Sequence, residues 1–209
     1  MMAVERAVFF KSGSLGLEGR WHEAAGSQAV VIAHPHPLYG GDLYNPVVET
    51  LTAVYQRRGY STLRFNFRGV GASEGHYADG RGEQDDLRAA AAHLAELGQT
   101  VTDLAGYSFG AWVALSLDPP LATVRRQLLV APPVALLDFG GIPEPRAQLC
   151  VMVGERDDFA PPTALEEWLA RWPRTVQLQV LPDADHFFSR GLSRLALSVQ
   201  TALDSPPEP

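Results

Sequence analysis

Residues 106–110 read Gly-Tyr-Ser-Phe-Gly and match G-x-S-x-G, a pattern in which a serine hydroxyl can act as a nucleophile. The five residues alone are weak evidence, but an apolar run precedes them and a helical run follows. This context predicts a sharp strand-to-helix turn, and the two glycines prevent the strand and the helix from colliding. We expect Ser108 to be the nucleophile and the Phe109 N–H, at the helix start, to stabilise an oxyanion. The alternative is a glycine-rich turn in which Ser108 only caps the helix.

A serine hydroxyl needs a base, and the pKa of histidine suits that role near neutral pH. Of the six histidines, His186 follows the last predicted strand, residues 176–181. It should therefore lie at the carboxyl edge of the sheet, where ligands of such folds bind. We predict that His186 is the base, although a loop histidine on the surface would give the same sequence pattern.

The protonated base needs an acceptor for its other N–H. Asp157 and Asp158 both follow the predicted strand 148–153, and both could instead form a turn or cap the next helix. From the residues alone the choice between them stays open. Three loops, each after its own strand, thus carry a nucleophile, an acid and a base in that order.

The elements that must position these loops alternate short apolar runs with longer amphipathic runs, as βαβ units do. The sequence predicts strands at residues 7–10, 15–21, 29–33, 60–67, 101–107, 126–131, 148–153 and 176–181. It predicts helices at residues 45–58, 83–97, 109–117, 163–172 and 188–203. The expected architecture is α/β, with a doubly wound, mostly parallel, eight-stranded sheet in one domain, residues 1–204. The tail, residues 205–209, is expected to be disordered.

The composition of the chain argues against several classes of protein. A formal net charge of -7 argues against a nucleic-acid partner. No apolar run approaches the ~20 residues of a membrane span, and the first residues do not resemble a signal peptide, so we expect a cytoplasmic protein that does not bind membranes. Cys150 is the only cysteine and lies in an apolar run, where a buried, unreactive thiol is expected.

Several motifs together resemble those of the α/β-hydrolase superfamily, in particular of small bacterial hydrolases without a lid that are related to dienelactone hydrolases. The resemblance spans residues 29–188 and includes HPHPLYGG at 34–41, RFNFRGVG at 64–71, GEQDDL at 82–87, the serine motif and DHFF at 185–188. It implies the triad Ser108, Asp157 and His186, because the family acid stands three residues after the glycine that ends its strand. Dienelactone hydrolases carry a cysteine where this chain has Ser108, so their substrate is not carried over.

The resemblance also implies a second oxyanion donor in the loop after residue 33. We expect the backbone N–H of His36, or that of Leu38 if the register shifts, since Pro37 has no N–H. His34 and His36 could alternatively suggest a zinc site, but no third ligand stands out, and neither a metal nor a cofactor is expected. Asp85 and Asp86 are expected to favour the start of their helix, or to pair with Arg68 or Arg64.

The function that these features predict is hydrolysis of small or accessible carboxylic esters through an acyl-enzyme, by a monomer or homodimer. Only about 16 residues connect strands 126–131 and 148–153, so no lid is expected over the site. Its mouth should be partly apolar, with Leu38, Tyr39, Tyr107, Phe109 and Phe187 nearby. The alternatives are a serine peptidase of the same fold, a non-catalytic binding protein, and a cofactor-free lyase or perhydrolase.

Overall fold

The structure, a computed structural model, describes residues 4–142, 144–172 and 176–205. The strands are β1 Arg6–Ser12, β2 Leu15–His22, β3 Gln28–Ala33, β4 Ser61–Phe65, β5 Thr100–Tyr107, β6 Arg126–Val130, β7 Gln148–Gly154 and β8 Val176–Leu181. The α-helices are α1 Pro46–Arg57, α2 Arg81–Glu96, α3 Phe109–Leu115, α4 Pro162–Leu169 and α5 Leu192–Asp204, and a 3-10 turn covers Pro37–Tyr39.

One eight-stranded sheet, in the order β1-β2-β4-β3-β5-β6-β7-β8, organises the chain. β1 and β2 pair antiparallel, β2 pairs antiparallel with β4, and the remaining pairs are parallel. The central strand β3 is buried from Ala29 to Ala33, as expected for a parallel strand that is covered on both faces. The predicted fold class is confirmed, and the carboxyl ends of β3 to β8 share one edge.

The described helices pack on the sheet and against one another. α1 packs against α5, and α2 packs against α3 and β1. In the described part of the connection between β6 and β7, no helix is present. The carboxyl edge of the sheet is therefore left open to solvent at this point. Among the described helices, none has the combination of length and apolarity that a membrane crossing requires.

The predicted and observed element boundaries differ most at the start of the last helix. The sequence predicts its start at residue 188, but α5 starts at Leu192. Phe188 and Gly191 have φ angles of 51° and 121°, which an α-helix does not accept. Of the predicted tail, Ser205 accepts a hydrogen bond of 2.6 Å from Arg126, and residues 206–209 lie outside the described residues.

A buried ion pair fixes the loop that follows β4. The Asp86 carboxylate is fully buried and accepts hydrogen bonds from Arg68 Nη2 at 2.7 Å and from Arg68 Nε at 3.0 Å. Arg64 pairs instead with Glu5 and Glu49. A bidentate arginine–carboxylate pair holds both backbones in one geometry, which gives Asp86 a structural role. Cys150 is buried as predicted, and burial raises its pKa to about 11.

Candidate active site

Ser108 occupies a strained turn between β5 and α3. Its φ of 52° and ψ of −117° are unusual for a residue with a side chain and cost ~1–3 kcal/mol. The Ser108 N–H donates to the Val130 carbonyl at 2.8 Å, and its own carbonyl accepts from Ala111 at 3.0 Å. These backbone hydrogen bonds hold the turn, so that the serine stands at the open edge of the sheet.

The two glycines of the motif allow close approach of backbones. A Cβ on Gly106 would lie 2.5 Å from the Gly110 carbonyl oxygen, and a Cβ on Gly110 would lie 2.5 Å from the His34 carbonyl oxygen. Gly106 therefore permits the contact between strand and helix that the sequence predicts. Gly110 additionally permits α3 to pack on the loop after β3, a contact that the motif by itself does not indicate.

We expect Gly110→Ala to lower the free energy of unfolding by about 3 kcal/mol or more, because the added methyl group meets backbone that cannot rotate away. Gly26→Ala is the matched control, since a Cβ at Gly26 meets nothing within 4 Å. Urea unfolding monitored by circular dichroism measures both. Equal stability of the two variants would contradict this account of the turn.

Three residues that are far apart in the chain form one line of hydrogen bonds. His186 Nε2 lies 3.0 Å from Ser108 Oγ, and His186 Nδ1 lies 2.8 Å from Asp157 Oδ2. All three residues are buried, at 8%, 7% and 3% exposure for Ser108, His186 and Asp157. This geometry fits a neutral imidazole with its proton on Nδ1, able to accept the serine proton at Nε2.

Asp157 is held in place by the start of the segment that leads to α4. Its Oδ1 accepts hydrogen bonds from the N–H groups of Phe159 at 2.9 Å and Ala160 at 2.7 Å. Asp158, the other candidate, is exposed. The structure thus brings Asp157 to His186.

The loop that carries His186 is tied to the other two loops. A Cβ on Gly154 would meet the Ala184 carbonyl, so glycine allows the loops after β7 and β8 to touch. The Tyr107 hydroxyl donates to the carbonyl of His186 at 2.8 Å, and burial raises the Tyr107 pKa. Sequence reasoning expected Tyr107 only near the mouth. Its link to His186 was missed, because no local signal joins residues 79 positions apart.

The two residues predicted to supply the oxyanion donors lie side by side, with the ring centroids of His36 and Phe109 4.8 Å apart. Phe109 is the first residue of α3, and its N–H has no carbonyl within the helix to bind. In the loop after β3, the Leu38 N–H donates to His36 Nδ1 at 3.2 Å. The Leu38 N–H is therefore already hydrogen-bonded, and the N–H of His36 is left as the candidate for the second oxyanion donor.

The side chain of His34 helps to hold the loop after β3 in place. Its ring is fully buried, with Nδ1 2.6 Å from the Pro35 carbonyl and Nε2 accepting from the Phe67 N–H at 3.0 Å. Both ring nitrogens are engaged, so His34 is not available as a metal ligand. Among the described residues, no cluster of three or more His, Cys, Asp or Glu side chains is arranged to hold a metal ion.

Burial lowers the pKa of His34 from 6.5 to about 4. The unfolded chain therefore binds more protons than the folded chain between these values, and the free energy of unfolding falls as the pH falls through that window. We expect His34 to reduce stability by about 2 kcal/mol between pH 7 and pH 5. Urea unfolding of His34→Gln should show a smaller loss over this range, and NMR should show His34 unprotonated at pH 5. A ring that titrates near pH 6.5 would contradict the buried, neutral assignment.

A pocket of about 690 Å³ opens above Ser108 and His186. Tyr39, Tyr107, Phe109 and Phe187 line it, as the sequence predicts, whereas Leu38 is exposed and is not among the lining residues. Sequence reasoning did not single out Phe159 and Leu136, which also line it. The pocket is therefore wide, open and mainly apolar.

G-x-S-x-G occurs a second time, at residues 71–75. There Ser73 Oγ donates to the Asn66 carbonyl at 2.7 Å and accepts from the Glu18 N–H at 2.9 Å. No strand precedes this match directly and no helix follows it, so Ser73 has a structural role. The strand and helix around Ser108, more than the five-residue pattern, distinguish the candidate nucleophile.

Comparison with known proteins gives several relatives, although no family model matches the chain. The uncharacterized protein RP471 of Rickettsia prowazekii is 30% identical over 193 residues, which cover 87% of this chain and 81% of that protein. XC6422 from Xanthomonas campestris, a serine hydrolase without a lid, has a TM-score of 0.86 and 30% identity over 98% of this chain and 97% of its own. A serine hydrolase homologue from Coxiella burnetii has a TM-score of 0.85 and 30% identity, covering 95% and 97% of the two chains.

Proposed function

This chain belongs to the α/β-hydrolase superfamily and is a hydrolase, and from that premise we propose that it cleaves small or accessible carboxylic esters through an acyl-enzyme. One observation carries the proposal. The hydrogen bonds from Ser108 Oγ to His186 and from His186 to Asp157 form the proton path that a serine nucleophile needs. The open, mainly apolar pocket above this path supports an ester substrate that is not enclosed by a lid.

Acylation begins when Ser108 Oγ attacks the ester carbonyl carbon. The hydroxyl proton moves to His186 Nε2, and the Asp157 carboxylate stabilises the imidazolium that results. Negative charge develops on the former carbonyl oxygen, and the N–H groups of Phe109 and His36 would bind it. Each such donor typically lowers the barrier by ~3 kcal/mol.

The tetrahedral intermediate collapses when His186 returns the proton to the departing alcohol oxygen. The bond between the carbonyl carbon and that oxygen breaks, leaving the acyl group on Ser108. Water then attacks the acyl carbon while His186 takes its proton, and the acid leaves as Ser108 regains its hydrogen. Every proton in this cycle passes between Ser108, His186, the departing alcohol and water, and no oxidant or reductant is needed.

Active-site labelling tests this proposal directly. A fluorophosphonate probe should attach to Ser108 at neutral pH, as peptide mass spectrometry would show, and the wild-type protein should hydrolyse a series of p-nitrophenyl esters of increasing acyl length. The proposal would be contradicted if the probe labelled another residue, or if the folded protein neither reacted with the probe nor hydrolysed any of the esters. Cleavage of peptide amides without cleavage of esters would replace the esterase by a peptidase of the same fold.

A further inference from the structure

The position of the alcohol part of the substrate follows from the triad geometry. His186 Nε2 must come within hydrogen-bond reach of both Ser108 Oγ and the departing alcohol oxygen. The predicted oxyanion donors belong to two other segments, the start of α3 and the loop after β3, which contact each other at Phe109 and His36. The alcohol group therefore has to lie against the residues that surround the imidazole of His186.

Two phenyl rings on that side contact the imidazole. The centroid of the Phe159 ring lies 4.8 Å from that of His186, and the Phe187 centroid lies 5.5 Å from it, each edge to face. The two phenyl rings are themselves 5.9 Å apart and nearly perpendicular. Together they form an aromatic corner beside the atom that protonates the alcohol.

The corner is open. Phe187 is 67% exposed, and Phe159 is half-buried. A phenyl group held in this way exposes apolar area that a bound apolar group could cover, and burial of that area from water favours binding. The buried ring of Tyr107 also packs beside the imidazole, with its centroid 5.7 Å from that of His186, and its hydroxyl is already bonded to the His186 carbonyl, so it offers the alcohol group no free polar atom.

No charged partner for the alcohol group is present in this pocket. Among the described residues that line it, there is no Asp, Glu, Lys or Arg. The imidazole of His36, which contacts the ring of Phe109, has its pKa lowered by burial, so it is mainly neutral at pH 7. A charged alcohol group would lose water there without gaining an ion pair.

We propose that the preferred esters carry an uncharged aromatic ring on the alcohol side, packed in the corner formed by Phe159 and Phe187. This inference rests on the proposed esterase function and adds the class of alcohol that the site selects. Edge-to-face contact with two rings favours an aromatic group over an alkyl group of similar bulk.

Two isomeric esters separate the alcohol side from the acyl side. Benzyl acetate carries its ring on the alcohol, and methyl phenylacetate carries it on the acyl group, with the same atoms in total. We expect Phe187→Ala to lower kcat/KM for benzyl acetate about three- to tenfold, the usual range for one aromatic contact, and to lower that for methyl phenylacetate by clearly less. Titration of the released acid measures both substrates without a chromophore.

Phe9→Ala is the matched control. Phe9 is also an exposed phenylalanine, at 63%, but it lies on β1, the edge strand farthest from β8 and the His186 loop that follows it. This variant should change neither rate. The inference would be overturned if Phe187→Ala lowered kcat/KM equally for both esters, or mainly for methyl phenylacetate. The proposed ester hydrolysis would still stand in that case. If the wild-type protein cleaved no ester, the proposed function itself would fail, and the inference with it.

A second readout does not depend on turnover of the benzyl ester. Benzyl alcohol should inhibit hydrolysis of p-nitrophenyl acetate by wild-type protein competitively, and should inhibit the Phe187→Ala variant about three- to tenfold more weakly. Equal inhibition of both proteins would overturn the assignment of the corner to the alcohol group.

Discussion

Ser108→Ala is expected to lower kcat for p-nitrophenyl acetate by at least about 10⁴-fold, with little change in KM. The alanine has no oxygen to attack the carbonyl, and His186 then has no hydroxyl proton to accept. The pocket walls are unchanged, so substrate should still bind. Initial rates over a range of ester concentrations separate the two parameters.

Ser73→Ala is a matched control for this prediction, because Ser73 is the serine of the second G-x-S-x-G match. Its hydroxyl makes two hydrogen bonds to backbone and lies outside the pocket lining. We expect this variant to keep its activity within a few-fold and to lose about 1–2 kcal/mol of stability. If Ser108→Ala retained activity, or if Ser73→Ala lost it while folded, the assignment of the nucleophile would be wrong.

Asp157→Asn is expected to lower kcat by about 10⁴-fold at pH 7. Asparagine can keep the hydrogen bonds from Phe159 and Ala160 through its carbonyl oxygen, so the loop should persist. Its amide N–H₂ would face His186 Nδ1, however, and a donor there forces the imidazole proton onto Nε2. The imidazole could then no longer accept the proton of Ser108.

Asp158→Asn makes the same chemical change one residue away, on an exposed side chain. It should reduce kcat less than about twofold. Rates at pH 7 and circular dichroism spectra for both variants complete the comparison. Comparable losses in the two variants would show that the acid has been assigned to the wrong carboxylate, or that neither carboxylate orients the base.

The sequence was sufficient for much of the fold and for locating the candidate nucleophile. The alternation of apolar and amphipathic runs predicted eight strands close to their observed ranges. In central strands such as β3 and β7, burial on both faces selects uninterrupted apolar segments, whereas β2 alternates buried and partly exposed residues. Ser108 could be singled out as that candidate because the strand, the tight turn and the helix start are all local features of the chain. The last helix was placed four residues too early, since the positive φ angle at Phe188 depends on how its loop packs.

Only the tertiary structure decided how the site is held together. The residues alone left the choice between Asp157 and Asp158 open, and the family resemblance favoured Asp157, but only the folded structure shows a carboxylate in contact with His186. The bond from Tyr107 to the His186 carbonyl and the packing of Gly110 on the loop after β3 likewise join segments far apart in the chain. Local sequence patterns report backbone preference and burial over a few residues. Which distant loops touch, and through which atoms, is fixed only when the sheet brings their strand ends to one edge.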